Sequence, residues 1–452
     1  MRALAVALAV AWCVLAALAP AAMGAARPLD DVRVFAHVPA PGSPEPIVVA
    51  PDRSVYVGTN QFGKGSDEDA AAPSRVFKFS PVGKLVRTYV LRGQPLGEDH
   101  GIQGLAMDGH GLLFVLDRSA NPRVVVLDPR TGSQRLYARF RDVPSCTLSG
   151  QTKNCSATFT NNAAGPDYAT FAPNGDLYVT DIDQALLWRV PRGGGRADVW
   201  FTDARLESVY GPNGIQVMPD GRTLLFVNTG SNPAAGDPTT GRLYKLPIRR
   251  DGRPGQLKQF WESRPADGPD GFALGRSGRI YLALAAGAGL VVISPSGQEL
   301  RRIPASPVEN EAQEVPFDGP ASAAFLDRRV LVTNQGFPET DEAHWAVLDV
   351  FVGERGAPLF RPFVGGRRPR LRLTARPKRA VVGERTRFRF RVTLRGKPVR
   401  GAVVRFTGRR AVTGPKGRAS MRFEPRRAGL RRAVAVKGRL LPGSTRVRFV
   451  SP

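Results

Sequence analysis

Five successive repeats of the 452-residue chain place an oxygen side chain eight residues ahead of a turn. Counting back from Arg53, Gly111, Gly175, Gly221 and Gly278 gives Glu45, Gln103, Asp167, Asn213 and Asp270. Three of these follow Gly-Pro, at Gly165-Pro166, Gly211-Pro212 and Gly268-Pro269, and Ser43-Pro44 before Glu45 is a near variant. All five are carboxylates or carboxamides, the hard donors that Ca²⁺ prefers, with waters completing its shell. Three unpaired carboxylates brought together repel, and a divalent cation relieves that repulsion. The competing reading is that acidic and amide residues at strand starts merely hydrogen-bond turn backbones. One such residue would favour it; five in one register favour a metal.

Other chemistry is sparse. His100, in His100-Gly101-Ile102 just ahead of Gln103, is a candidate base beside Asp270, whereas His37, His110 and His344 are isolated and read as structural. No Gly-x-Ser-x-Gly elbow, phosphate loop or zinc signature occurs, which argues against covalent hydrolase or nucleotide chemistry.

The elements that must position these residues are visible as repeats. Each unit is an apolar strand, a Pro/Asp/Asn/Gly turn and a second strand, as in Ile47 to Val57, Gly104 to Val115, and Pro173-Asn174-Gly175 into Leu177-Tyr178-Val179. Pro219-Asp220-Gly221, Arg276-Ser277-Gly278 and Leu326-Asp327-Arg328 mark the remaining three. A third strand follows each hairpin and often a fourth, which is the pattern of propeller blades. The expected fold is all-β: a six-bladed β-propeller followed by a small Ig-like β-sandwich. Blade six lacks a fourth strand of its own, and Val32-Arg33-Val34-Phe35 has no partner, so the N-terminal strand is expected to close the ring and remove its edges. The first strand of each blade lines the channel, so side chains sharing one register there converge at one depth. The sixth position, Ala321 in Gly319-Pro320-Ala321, supplies no ligand.

From Val32 to Glu354 the chain resembles the gluconolactonase and regucalcin-like (senescence marker protein type) family, with its paraoxonase and strictosidine synthase-like relatives. The likest stretches are Gly211-Pro212-Asn213-Gly214-Ile215, Pro219-Asp220-Gly221 and Pro269-Asp270-Gly271. The resemblance implies Ca²⁺ or another divalent metal on Glu45, Asn213 and Asp270. It also implies hydrolysis of a lactone or related small ester, with the metal polarising the carbonyl and Asp270 or His100 activating water. Gln103, Asp167 and Tyr168 are the candidate substrate contacts, and Asp167-Tyr168 departs from the Asn-Asp pair that the family carries there. The reading from another class is a non-catalytic propeller that binds a ligand or partner, with the metal holding its blades together.

Composition divides the chain. Residues 365–452 hold 28 Lys or Arg against two acids, Glu384 and Glu424, which accounts for the whole net charge of +26. Boundaries follow at 1–26 for a signal peptide, 27–360 for the propeller, 361–370 for a Gly/Pro/Arg linker and 371–452 for the basic domain. The signal reading rests on Met1-Arg2, the apolar run Ala3 to Ala19 and the small-residue exit near Ala22-Met23-Gly24-Ala25-Ala26, and it implies a secreted, periplasmic or cell-surface protein. No later segment is apolar enough to span a membrane. Cys146 and Cys155 lie in a polar insertion and are expected to form a disulfide, since no second Cys or His pair completes a zinc site. In the tail, Gly396-Lys397-Pro398-Val399-Arg400-Gly401-Ala402-Val403-Val404 resembles bacterial Ig-like modules of surface proteins. Its charge would suit an anionic cell-surface polymer or reflect an Arg-rich spacer; nucleic acid is a poor candidate because the basic residues lack aromatic interleaving.

Overall fold

The computed structural model describes residues 27–61, 71–151, 154–156, 162–232, 236–336, 341–364, 370–394, 396–437, 440 and 442–452. The proposed signal segment lies outside the described residues.

Period-two burial drives the chain into short antiparallel strands, and these group four at a time. Blade one is Ser43–Val49, Val55–Asn60, Arg75–Phe79 and Leu85–Val90; blade two is Gly101–Met107, Leu113–Arg118, Arg123–Leu127 and Gln134–Arg139. Blade three runs from Pro166–Phe171 to Asp198–Thr202, blade four from Pro212–Val217 to Lys258–Glu262, and blade five from Pro269–Leu274 to Glu299–Ile303. Blade six supplies Pro320–Leu326, Arg329–Asn334 and Ala346–Phe351 itself, and the N-terminal strand Val32–His37 pairs with the last of these, Val32 opposite Val350. The ring therefore closes as the unpaired N-terminal strand implied.

Six separate apolar clusters hold the blades together, one at each blade-to-blade interface. Trp188 from blade three packs among Phe140, Phe171 and Val124, for example, and Phe35, Val347 and Leu331 of blade six pack on Phe77 and Phe79 of blade one. Each interface buries branched and aromatic side chains, so the ring is stabilised cooperatively around its circumference.

The closing strand is also held by charge. The buried Asp349 carboxylate accepts from Arg27 Nη1 at 2.7 Å and is ion-paired with Arg329, while Arg27 Nη2 donates to the Asp349 carbonyl at 2.6 Å. Asp349→Ala should leave Arg329 without its counter-charge, take one of two carboxylates from Arg27, which keeps Asp31, and cost about 3 kcal/mol. The expected result is a lower melting temperature and faster proteolytic release of the N-terminal strand. Cleavage and melting identical to wild type would show that the pairs contribute nothing to closure.

Cys146 and Cys155 form a disulfide with Cα atoms 4.9 Å apart, in the insertion between blades two and three. The linker boundary differs from expectation. Arg361 Nη2 donates to Val49 O at 2.5 Å, Gly109 N to Pro362 O at 3.0 Å, and Val364 N to Asp108 Oδ2 at 3.2 Å. The propeller thus extends to Val364, because Pro-rich composition marks an irregular path without deciding whether that path is packed.

The basic segment folds as two sheets around a common core. Arg372–Arg376, Thr386–Leu394, Lys397–Pro398 and Arg418–Phe423 form one; Arg379–Val381, Gly443–Val450, Gly429–Val436, Val403–Phe406 and Arg409–Val412 form the other. Phe388, Phe390, Phe406, Phe423 and Phe449 meet between them. Along Thr386–Leu394 the arginines Arg387, Arg389 and Arg391 point outward and the apolar residues inward.

Candidate metal centre

The five oxygen residues occupy equivalent places on five first strands, and each place is a break in the strand ladder. Pairing with the second strand shifts register between Pro44 and Ile47, Ile102 and Gly104, Pro166 and Ala169, Pro212 and Ile215, Pro269 and Phe272, and, in blade six, Pro320 and Ala323. A bulge leaves an unpaired backbone group and re-aims the adjacent side chain. In blades three and six the freed amide is met by a threonine of the second strand: Tyr168 N donates to Thr180 Oγ1 at 3.0 Å and Ser322 N to Thr333 Oγ1 at 2.9 Å. Glycine after the bulge residue lets neighbouring strands approach. An added Cβ on Gly214 would lie 2.6 Å from Asp270 O, and one on Gly271 would lie 2.7 Å from the Tyr168 hydroxyl.

Glu45, Gln103, Asp167 and Asn213 are buried and Asp270 is nearly so. Burial holds the Glu45 carboxyl well above the carboxylate range, and the charges of Asp270 and Asp167 push the same way. Asp167 is raised by burial and then by Asp270, against the opposing charge of Arg118. Burial lifts Asp270 to about 7, against hydrogen bonds from Tyr168, Gly271 N and Asn213. Three carboxyl groups thus sense one another inside a poorly solvated ring.

Tyr168 reaches into the ring itself. Its hydroxyl is 3.5 Å from Glu45 Oε1 and 3.3 Å from Ala321 O, and it also hydrogen-bonds Asp270. Blade six, blank in its side chain at Ala321, therefore contributes a carbonyl oxygen. Asn213 Nδ2 donates to Thr229 Oγ1 at 3.1 Å, and Thr229 donates onward to Pro269 O at 2.9 Å, which fixes the amide and leaves Asn213 Oδ1 free.

The residues fit a cation by donor chemistry. Asp167 Oδ2, Asn213 Oδ1 and Asp270 Oδ1 are buried acceptors with no hydrogen-bond partner, and such atoms ordinarily demand one. Among the described residues no three His, Cys, Asp or Glu side chains by themselves form a metal-binding group. A cation here would have to use the Asn213 carboxamide together with the carboxylates.

His100 is not brought into the ring as a base. Its ring is buried with Nδ1 2.7 Å from Glu98 O and Nε2 2.9 Å from Ala72 O, so both nitrogens face backbone carbonyls and the imidazole ties two loop segments together. Proximity in sequence to Gln103 could not reveal this, because one partner, Ala72 O, comes from a different loop. Thr180, Thr229, Thr333 and Arg118 escaped sequence reading. A signal existed in the recurring Thr59-Asn60, Thr180-Asp181 and Thr333-Asn334 pairs that end second strands.

The fold and site define a six-bladed propeller with an oxygen-lined channel. Within it, residues 197–326 match the SMP-30/Gluconolactonase/LRE-like region, so the chain carries an SMP-30/gluconolactonase-like region from the end of blade three into blade six. Among solved structures, regucalcin of Agrobacterium tumefaciens, a calcium-binding protein, is similar at 18% identity and TM-score 0.51, covering 74% of this chain and 97% of its own. Virginiamycin B lyase of Staphylococcus aureus is similar at 15% identity and TM-score 0.44, covering 71% and 99%. A luciferin-regenerating enzyme is similar at 13% identity and TM-score 0.49, covering 74% and 100%. At 18% identity the likeness to regucalcin is one of fold. No curated protein matches the chain.

Proposed function

We propose that the chain is a divalent-metal-dependent hydrolase of lactones or related small esters, with Ca²⁺ as the metal and Glu45, Asn213 and Asp270 as its protein ligands. The observation that carries this reading is the set of buried, unpartnered oxygens on Asp167, Asn213 and Asp270. When bound, the metal would polarise a carbonyl oxygen as a Lewis acid. Asp270, a carboxylate of the ring, would accept a proton from attacking water. Thr229 orients Asn213, and the Tyr168 hydroxyl holds Glu45 and Asp270 in place.

An exported location belongs to the same proposal, supported by the apolar N-terminal run and the Cys146–Cys155 disulfide. The arginine faces of the C-terminal sheets would then attach the protein to an anionic surface polymer.

The test is turnover on a panel of five- and six-membered lactones and aryl esters, with added Ca²⁺ and with chelator. Hydrolysis that chelator abolishes and Ca²⁺ restores is the expected outcome. Chelation that lowers the melting temperature, with no turnover on any substrate, would leave a structural metal in a binding propeller and sink the enzyme reading.

A further inference from the structure

Three residues beyond each ring position, the same first strands carry Val48, Ala106, Thr170, Gln216, Ala273 and Ala324, and all six line a second space in the channel. Five of these side chains are no larger than valine, which is why the strands leave a chamber of about 430 Å³. That is large enough for a small organic molecule. Tyr168 forms part of its wall and also reaches the carboxylates, so this residue stands between the two sites. Another part of the wall is the packed segment from Arg355 to Arg361, held to blade five by Arg276 N on Arg355 O at 2.8 Å and by Ala357 N on Leu274 O at 2.8 Å.

The chamber has a polar bias of one sign. Arg361 lines it, half-buried, and its guanidinium donates to Val49 O at 2.5 Å. Among the described residues no carboxylate forms a salt bridge with Arg361, and burial pulls the group below the usual guanidinium value. Two more cations, Arg276 and Arg355, stand at the rim, while the single acid there, Asp327, is ion-paired with Arg53. Gln216 donates through Nε2 to Phe272 O at 2.8 Å, and its Oε1 is buried without a partner. A partly desolvated cation without a counter-ion is costly unless an anion completes it.

We propose that this chamber binds a small organic carboxylate, its headgroup paired with Arg361 and an aliphatic part of its body against the small side chains of the first strands. A single guanidinium matches a monoanion and offers the planar, two-point contact that a carboxylate takes. The small side chains of Val48, Ala106, Ala273 and Ala324 offer an aliphatic surface for part of the ligand's body. The site is separate from the oxygen ring and does not depend on the metal.

Octanoate titrated calorimetrically into the full chain tests the proposal. Saturable binding at one per chain is expected, unchanged by chelator, at least tenfold weaker in Arg361→Met and lost in Ala324→Phe, which fills the chamber. The arginine-rich C-terminal domain could also attract anions, and the Arg361→Met comparison isolates the chamber from it. Absence of saturable binding, or equal affinity in wild type and Arg361→Met, would overturn the proposal. If Ala324→Phe does not fold, Arg361→Met decides alone, with its melting curve as the control for folding. Because the readout is binding with and without chelator, it stands or falls independently of lactone hydrolysis.

Discussion

Asp270→Asn should lower kcat/KM for lactone hydrolysis by about 10³-fold, within the usual range for loss of a general base. Asparagine keeps the size and the hydrogen bonds to Tyr168 and Asn213 but cannot take a proton. The same change removes one of three carboxylates from the ring, so calcium affinity should fall as well. Turnover at saturating Ca²⁺ separates the two effects: activity restored by more metal would make Asp270 a ligand only. Folding damage is distinguishable because the substitution removes a buried charge, and the metal-free variant should melt at or above wild type at pH 8. Wild-type turnover in Asp270→Asn would eliminate this carboxylate as the base.

The second large effect is a dependence of stability on pH that metal should cancel. Glu45, Asp167 and Asp270 all titrate higher in the fold than in the unfolded chain. Between the two values the folded protein retains protons that the unfolded chain has released, so unfolding releases protons and stability falls as pH rises. For Asp270 the window runs from the ordinary carboxylate value up to about 7. That interval corresponds to an upper bound of roughly 4 kcal/mol for a fully buried group. In chelator the melting temperature should therefore drop by roughly 5 °C between pH 5.5 and pH 8. Saturating Ca²⁺ should raise it strongly at pH 8, where the carboxylates are charged, and little at pH 5.5, where protons already neutralise them. A flat metal-free profile, or equal calcium stabilisation at both pH values, would contradict a carboxylate ring that exchanges protons for metal.

Local rules account for what could be read in advance. Period-two alternation and Pro/Asp/Gly turns depend only on neighbouring residues, so the strands, the six repeats and the register of Glu45, Gln103, Asp167, Asn213 and Asp270 were visible along the chain. Closure by Val32–His37 was legible too, since an unpartnered strand at one end matched a missing strand at the other. Tyr168 illustrates the limit. Adjacent to a ring residue, it read as a substrate contact, and nothing local showed that its hydroxyl meets Glu45 from blade one and Ala321 O from blade six, partners 123 and 153 residues away. The setting of His100 was hidden in part for the same reason, since Ala72 O, which meets its Nε2, is brought to it by the packing of a second loop.

The amino-acid order by itself determined the strand periodicity, the count of blades, the oxygen register and the confinement of the +26 charge to residues 365–452, because each depends on residue type and spacing alone. Only the tertiary structure decided that every ring position is a bulge, that Tyr168 sits among the carboxyl groups and that His100 is turned away. It also decided that residues 355–364 pack on the propeller around a chamber. These are consequences of which strands and loops lie side by side once the ring closes. Burial and neighbouring charge then raise the carboxyl pKa values, so the chemistry of the site exists only in the assembled channel.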